Sequence, residues 1–135
     1  MNTPVPKSRR GPAECVAVWY LMEMYDCVMY RKAIASKYQK VDFFASDVMA
    51  KNADGDTYYI QVTTGGYEAI RKRKRKIEEV PWNNSEMPLL MNVYIDDDAK
   101  RGEKYRARVE EWNYGHWGLI DDIAVPATWW KKYKP

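Results

Sequence analysis

The sequence predicts an α/β domain in which a mixed β-sheet is flanked by helices. Three observations lead there. Candidate elements follow one another in the order helix, strand, strand, strand, helix, strand, strand. The strands at 41–50 and 57–64 flank the segment KNADGDT, whose Asp-Gly step is a turn signal. The strongly apolar run LLMNVYI at 89–95 comes after a helix. A hairpin that leads through a helix to another buried strand indicates a mixed sheet with helices on its flanks.

The chain has 135 residues, of which 46% are apolar, enough for one domain with a packed core and too many for a disordered chain. Residues 1–11 read as a flexible basic arm carrying Arg9 and Arg10. Pro12 stands where a first helical turn tolerates proline, and AECVAVWYLMEMY follows as a helix. CVMYRKAIA at 27–35 alternates loosely and reads as a strand. VDFFASDVMA at 41–50 reads as the next, and TYYIQVTT at 57–64, rich in β-branched and aromatic residues, as the third. Gly65 and Gly66 break it, and YEAIRKRKRKIEEV follows as a helix with Ala69, Ile70, Ile77 and Val80 on its apolar stripe. Pro81 ends that helix. LLMNVYI fits a central strand and YRARVEEW at 105–112 a weaker one. The main domain therefore spans 12–112, and 113–135 is an aromatic and basic extension packed on it.

No apolar run approaches the roughly 18 residues that span a bilayer, and the N-terminus lacks the apolar stretch of a signal peptide. A cytoplasmic protein is expected, or one free inside an infected host cell. Cys15 and Cys27 fit neither a metal spacing nor a disulfide framework and read as small buried hydrophobes. His116, the one histidine, cannot build a zinc site alone and reads as structural or surface.

The net charge is only +3, but it is segregated. Arg71, Lys72, Arg73, Lys74, Arg75 and Lys76 are consecutive, and the chain ends in WWKKYKP. Acidic residues cluster at Asp54 to Asp56, Asp96 to Asp98 and Asp121 to Asp122. Six cations in a row point all round a helix and repel one another, a cost that a polyanion offsets. The other reading is a solvated helix face. Trp117, Trp129, Trp130 and Tyr133 in the extension either cap the core or stack on unpaired bases beside Lys131, Lys132 and Lys134.

The hairpin carries the candidate chemistry. Asp47 and Gln61 lie at equal distances from residue 54, inside the turn, so an antiparallel pairing sets them opposite each other. Side chains alternate by two, which puts Thr63 on the face of Gln61. A slip of one residue would scatter the group to both faces.

These residues resemble the motifs of the PD-(D/E)xK, or restriction-endonuclease-like, nuclease superfamily. DVMA at 47–50 is similar to its first motif, and IQVTTG at 60–65 to its second, with Gln61 where an acid is usual and Thr63 where Lys is usual. Glu14 resembles the acid that many members supply from the first helix, and 71–77 takes the place of a basic DNA-facing helix. The layout is similar to archaeal-type Holliday-junction resolvases, and the QxT variant to small phage and bacterial nuclease-like proteins.

The resemblance implies a Mg²⁺- (or Mn²⁺-) dependent endonuclease acting on duplex or branched DNA, working as a homodimer, with Glu14, Asp47 and Gln61 holding the metal. It also implies that the missing lysine is supplied from elsewhere, by Lys51, Lys72 or Lys76. Asp42 is a second candidate site residue in the same strand; its other reading is a charged strand start. Two further functions stay open: a catalytically degenerate DNA-binding protein of the same fold, and a protein-interaction module whose basic helix meets an acidic partner.

Overall fold

The computed structural model describes residues 2–4, 13–35, 40–41, 44–100, 104–113 and 115–125. The elements are β1 (Asn2–Pro4), α1 (Ala13–Met24), β2 (Cys27–Lys32), β3 (Ile34–Ala35), β4 (Lys40–Val41), β5 (Val48–Asn52), β6 (Thr57–Thr63), α2 (Tyr67–Glu78), β7 (Glu86–Asp96), β8 (Tyr105–Asn113) and β9 (His116–Ala124). The order β2-β5-β6-β7-β8-β9 makes one sheet, with β1 also paired to β7, while β3 and β4 form a separate small hairpin. β6 and β7 are parallel and the other pairs antiparallel. A parallel pair needs a long crossover, and α2 is that crossover. The α/β class and the mixed sheet are as expected.

α1 is apolar nearly all round, and such a helix has to be buried. Val16, Ala17, Val18, Tyr20 and Leu21 are fully shielded from solvent. They pack against Val48, Ile60, Val62, Leu89, Met91, Val93 and Val109 from one face of the sheet. Each such aliphatic side chain contributes about 1.5–3 kcal/mol by leaving water. Alternation along β6 sends Tyr59, Gln61 and Thr63 to the opposite face. α2 lies there against β6 and β7, anchored by the fully buried Ile77.

Three expectations need correction. The strand expected at 41–50 is interrupted, because Phe44 and Ala45 adopt φ of 49° and 61°, which no strand accommodates, and β5 starts at Val48. The extension after Asn113, expected to pack on the domain, contains β9, an edge strand of the same sheet whose half-exposed faces blur the alternation. Within the N-terminal arm, Asn2–Pro4 pair with Tyr94–Asp96. β6 ends opposite Asn92, so β7 outruns it, and β1 takes up the backbone edge that remains. Arg9, Arg10, Asp42, Trp129, Trp130, Lys131, Lys132, Tyr133 and Lys134 lie outside the described residues.

β9 bonds to the interior through two successive aspartates that alternate between faces. Asp121 accepts a short hydrogen bond from the Tyr20 hydroxyl. Asp122 accepts from the Tyr94 hydroxyl at 2.7 Å and from Arg106 Nε at 3.1 Å. Burial, reinforced by these carboxylates, raises the phenols of Tyr20 and Tyr94 above the ordinary 10.0. Burial also pushes the Cys27 thiol from 9.0 up to about 11. Both cysteines are buried and free.

In the unfolded chain these groups lose their protons at the ordinary values, whereas the folded chain keeps them. Stability is therefore complete below about pH 9 and falls as the pH rises toward the folded values, by about 1.4 kcal/mol per pH unit for each group in that window. Urea titrations should show a flat plateau between about pH 6 and 8 and a clear loss by about pH 10.5. A plateau unchanged beyond that point contradicts the burial of these hydroxyl and thiol groups.

Candidate nucleic-acid cleft

The hairpin geometry follows from its turn. Asn52 Oδ1 accepts from the Asp54 and Asp56 backbone N–H groups at 3.1 and 3.0 Å, and Gly55 takes φ of 90°. Asn52 thus mimics a turn of backbone, and the glycine fills the left-handed position. That turn sets the register Val48↔Ile60 through Lys51↔Thr57. One step further, Asp47 meets Gln61, as the sequence predicts.

The contact is a specific one. Asp47 Oδ2 accepts from Gln61 Nε2 at 2.7 Å and from the Val62 backbone N–H at 2.9 Å. Its backbone N–H donates to Ile60 O at 2.9 Å, and its carbonyl accepts from Ala33 N at 2.7 Å. Asp47 is 3% exposed and Gln61 4%. The carboxylate thus pins the start of β5 to β6 as well as presenting charge. Gln61 Nε2 also lies 3.5 Å from Val62 O, so the amide turns its donor side to Asp47 and to that carbonyl. Gln61 is thus a hydrogen-bond partner of Asp47.

A cleft of about 270 Å³ opens where β6 ends. Asp47, Thr63, Thr64 and Gly65 line one side, Glu14 from the first turn of α1 another, and Ala69 and Arg73 of α2 the third. Thr63 Oγ1 accepts from Gly65 N–H at 3.2 Å, which closes the strand and starts the helix. Gly65 is required there, since a Cβ would sit 2.6 Å from Ala69 Cβ. Gly66 caps α2 without a side-chain hydrogen bond. The first N–H groups of α2 have no intrahelical acceptor and carry the positive end of the helix dipole.

The six cations of α2 separate by position. Arg73 lines the cleft. Arg71, Lys72, Arg75 and Lys76 are exposed. Lys74 faces the sheet, 2.9 Å from Glu110 Oε1 and 5.1 Å from the Trp117 ring centre. Trp117 itself packs at a tilt against Trp112 and donates to Glu78 Oε2 at 2.9 Å, so it caps the helix–sheet junction. Lys51, a candidate for the missing lysine, is exposed near the turn, about four strand residues or 13 Å from Asp47. It does not line the cleft, and neither does Lys72 or Lys76. Sequence reasoning missed Arg73 as the cleft cation. The signal was available, because Arg73 precedes the apolar Ile77 by four residues and shares its side of the helix.

A row of rings lies on the face of the sheet that Gln61 occupies. Phe44 is 61% exposed and meets Tyr59 edge-on at 5.9 Å, and Tyr59 meets Trp82 at 5.2 Å. Trp82 Nε1 donates to Ile77 O at 2.8 Å, which fixes it at the end of α2. Phe44 and Ala45 hold the left-handed conformation at a cost of about 1–2 kcal/mol each.

Compared with known proteins, the chain matches no family model, no curated protein and no solved structure. Among the described residues no group of three His, Cys, Asp or Glu is placed to hold a metal ion. The cleft offers two carboxylates, from Glu14 and Asp47. Mg²⁺ keeps several waters and commonly takes one or two carboxylates together with phosphate oxygens, so that donor set suits it once a phosphodiester is present. No helix among the described residues is long and apolar enough to cross a membrane.

Proposed function

We propose that this domain is a Mg²⁺-dependent DNA endonuclease with a PD-(D/E)xK-type core, which binds the phosphate backbone along α2 and hydrolyses a phosphodiester in the cleft. One observation carries the reading: Glu14 of α1, Asp47 just before β5 and Arg73 of α2 converge on a single cleft at the end of β6. The order α1, then the antiparallel strands β2, β5 and β6, then α2 and the parallel strand β7 agrees with the layout of that core. Glu14 and Asp47 would hold the ion. When bound, it supplies an activated water and offsets charge developing at the phosphate.

The chain's own groups divide the remaining work. Arg73 stays charged and cannot accept a proton, so it clamps phosphate oxygens through its planar fork. The free N–H groups at the start of α2 suit the same anion. Asp47 Oδ2 accepts from Gln61 Nε2 and from the Val62 N–H, which holds that carboxylate in place at the cleft. Water in the cleft is oriented by Glu14 and by the Thr63 side chain, in place of a lysine.

A second reading has its own support. Thr63 replaces the lysine, and the Gln61 amide is committed to Asp47. Both favour a domain that binds DNA without cutting it.

Cleavage of linear, nicked and four-way DNA, with Mg²⁺ or with EDTA, separates the two. The endonuclease reading expects metal-dependent cutting that Glu14→Gln slows by about 10²-fold or more, with DNA affinity retained. Retardation of DNA with no cutting of any substrate selects the binding-only reading. A protein that retards no DNA refutes both.

A further inference from the structure

The ring row of Phe44, Tyr59 and Trp82 takes no part in the chemistry proposed above. Phe44 is largely exposed although its backbone is held at positive φ, a rare and unfavourable placement for a bulky residue. Such strain persists only where the surrounding structure over-determines it, and it clusters at functional sites. Tyr59 and Gln61 share one face of β6, so the row begins one side-chain step, about 7 Å, from the Asp47–Gln61 contact. On the other flank, Ala69, Arg73, Lys76 and Val80 follow the spacing of one helix side, and Ala69 and Arg73 line the cleft. Lys76 carries that side onward, away from the cleft, and is exposed. α2 ends near Trp82, which lies against Tyr59. A cationic side of α2, which starts at the cleft, and an aromatic row, which starts one side-chain step from the Asp47–Gln61 contact, thus lie over the same face of the sheet.

We infer that the row is a stacking platform for unpaired bases of a DNA strand. The phosphates of that strand follow Arg73 and Lys76, and Phe44 stacks on the base beside the phosphate in the cleft. The inference rests on the DNA-binding reading above and narrows its substrate to DNA with a single-stranded stretch. Cations alone bind any polyanion, and rings alone are only an apolar surface. Side by side they match a chain of alternating phosphate and exposed base. A duplex keeps its bases stacked on one another and offers Phe44 no face. Tyr59 is only 7% exposed and braces Phe44 from behind, so Phe44 makes the contact.

Fluorescence anisotropy of the full chain tests this, with Ca²⁺ replacing Mg²⁺ and one mixed sequence labelled both as a single strand and as a duplex. Phe44→Ala should weaken single-strand binding by about 5- to 150-fold, the equivalent of losing about 1–3 kcal/mol of base–aromatic stacking. Duplex binding should stay within about twofold, because it rests on phosphate contacts. Phe44→Trp should keep single-strand affinity at or above the parent's. Misfolding would weaken both forms, so a strand-selective loss cannot arise from it. Equal losses on both forms, or no loss on either, overturn the stacking inference and leave DNA binding standing. A parent protein that binds neither form overturns both readings.

Discussion

Asp47→Asn is expected to lose cleavage by about 10²–10³-fold, the range seen when one group that stabilises developing charge is removed. It should stay folded. The hydrogen bonds from Gln61 Nε2 and Val62 N–H fall on one oxygen, Oδ2. An asparagine can place its carbonyl oxygen there and keep both donors satisfied. Asp47→Ala is a different perturbation. It leaves a backbone N–H and a side-chain amide buried without that acceptor, each at about 1–3 kcal/mol. The expected loss of about 2 kcal/mol or more corresponds to a fall in Tm of about 8 °C or more for a chain of this size. The pair of variants therefore separates charge from scaffold. Full activity in Asp47→Asn removes Asp47 from the chemistry. An Asp47→Ala melting temperature equal to the parent's removes it from the framework of the hairpin.

The hairpin was legible because two local rules agree. An Asx-type turn with glycine at the left-handed position fixes the loop, and a period of two then carries the register outward to Asp47 and Gln61. The position of α2 after β6 was legible for a similar reason, since Gly65 and Gly66 break the strand and the apolar stripe gives the helix its phase. The role of Gln61 was not legible. An amide offers both an acceptor and donors, and only the placement of Asp47 Oδ2 and Val62 O decides which side it turns to them. Nor was the aromatic row. Phe44 and Ala45 are poor candidates for positive φ, so DFFAS read as strand, and the ring pairing with Tyr59 depends on that break. β9 escaped because its residues are half-exposed on both faces. Weak alternation in an edge strand carries little information about pairing.

The basic helix should show the largest change in binding. Replacing Arg71, Lys72, Arg75 and Lys76 with Gln removes the four exposed cations and leaves Arg73 at the cleft and Lys74 on Glu110. If all four contact phosphates, the dependence of log affinity on log salt flattens by about 3.6, at roughly 0.9 for each duplex phosphate released. Affinity should fall for every sequence tested, because phosphate contacts carry no base information. The free protein should melt at the same temperature or higher, since like charges three and four residues apart repel. Lys74→Gln is the contrasting variant. It breaks a partly buried ion pair and removes a cation from above Trp117, so it should lower Tm while the salt slope stays close to the parent's. That opposition distinguishes a phosphate-binding face from a merely solvated one. A quadruple variant with the parent's salt slope would assign the exposed cations to solvent or to a protein partner, whatever its effect on affinity at a single salt concentration.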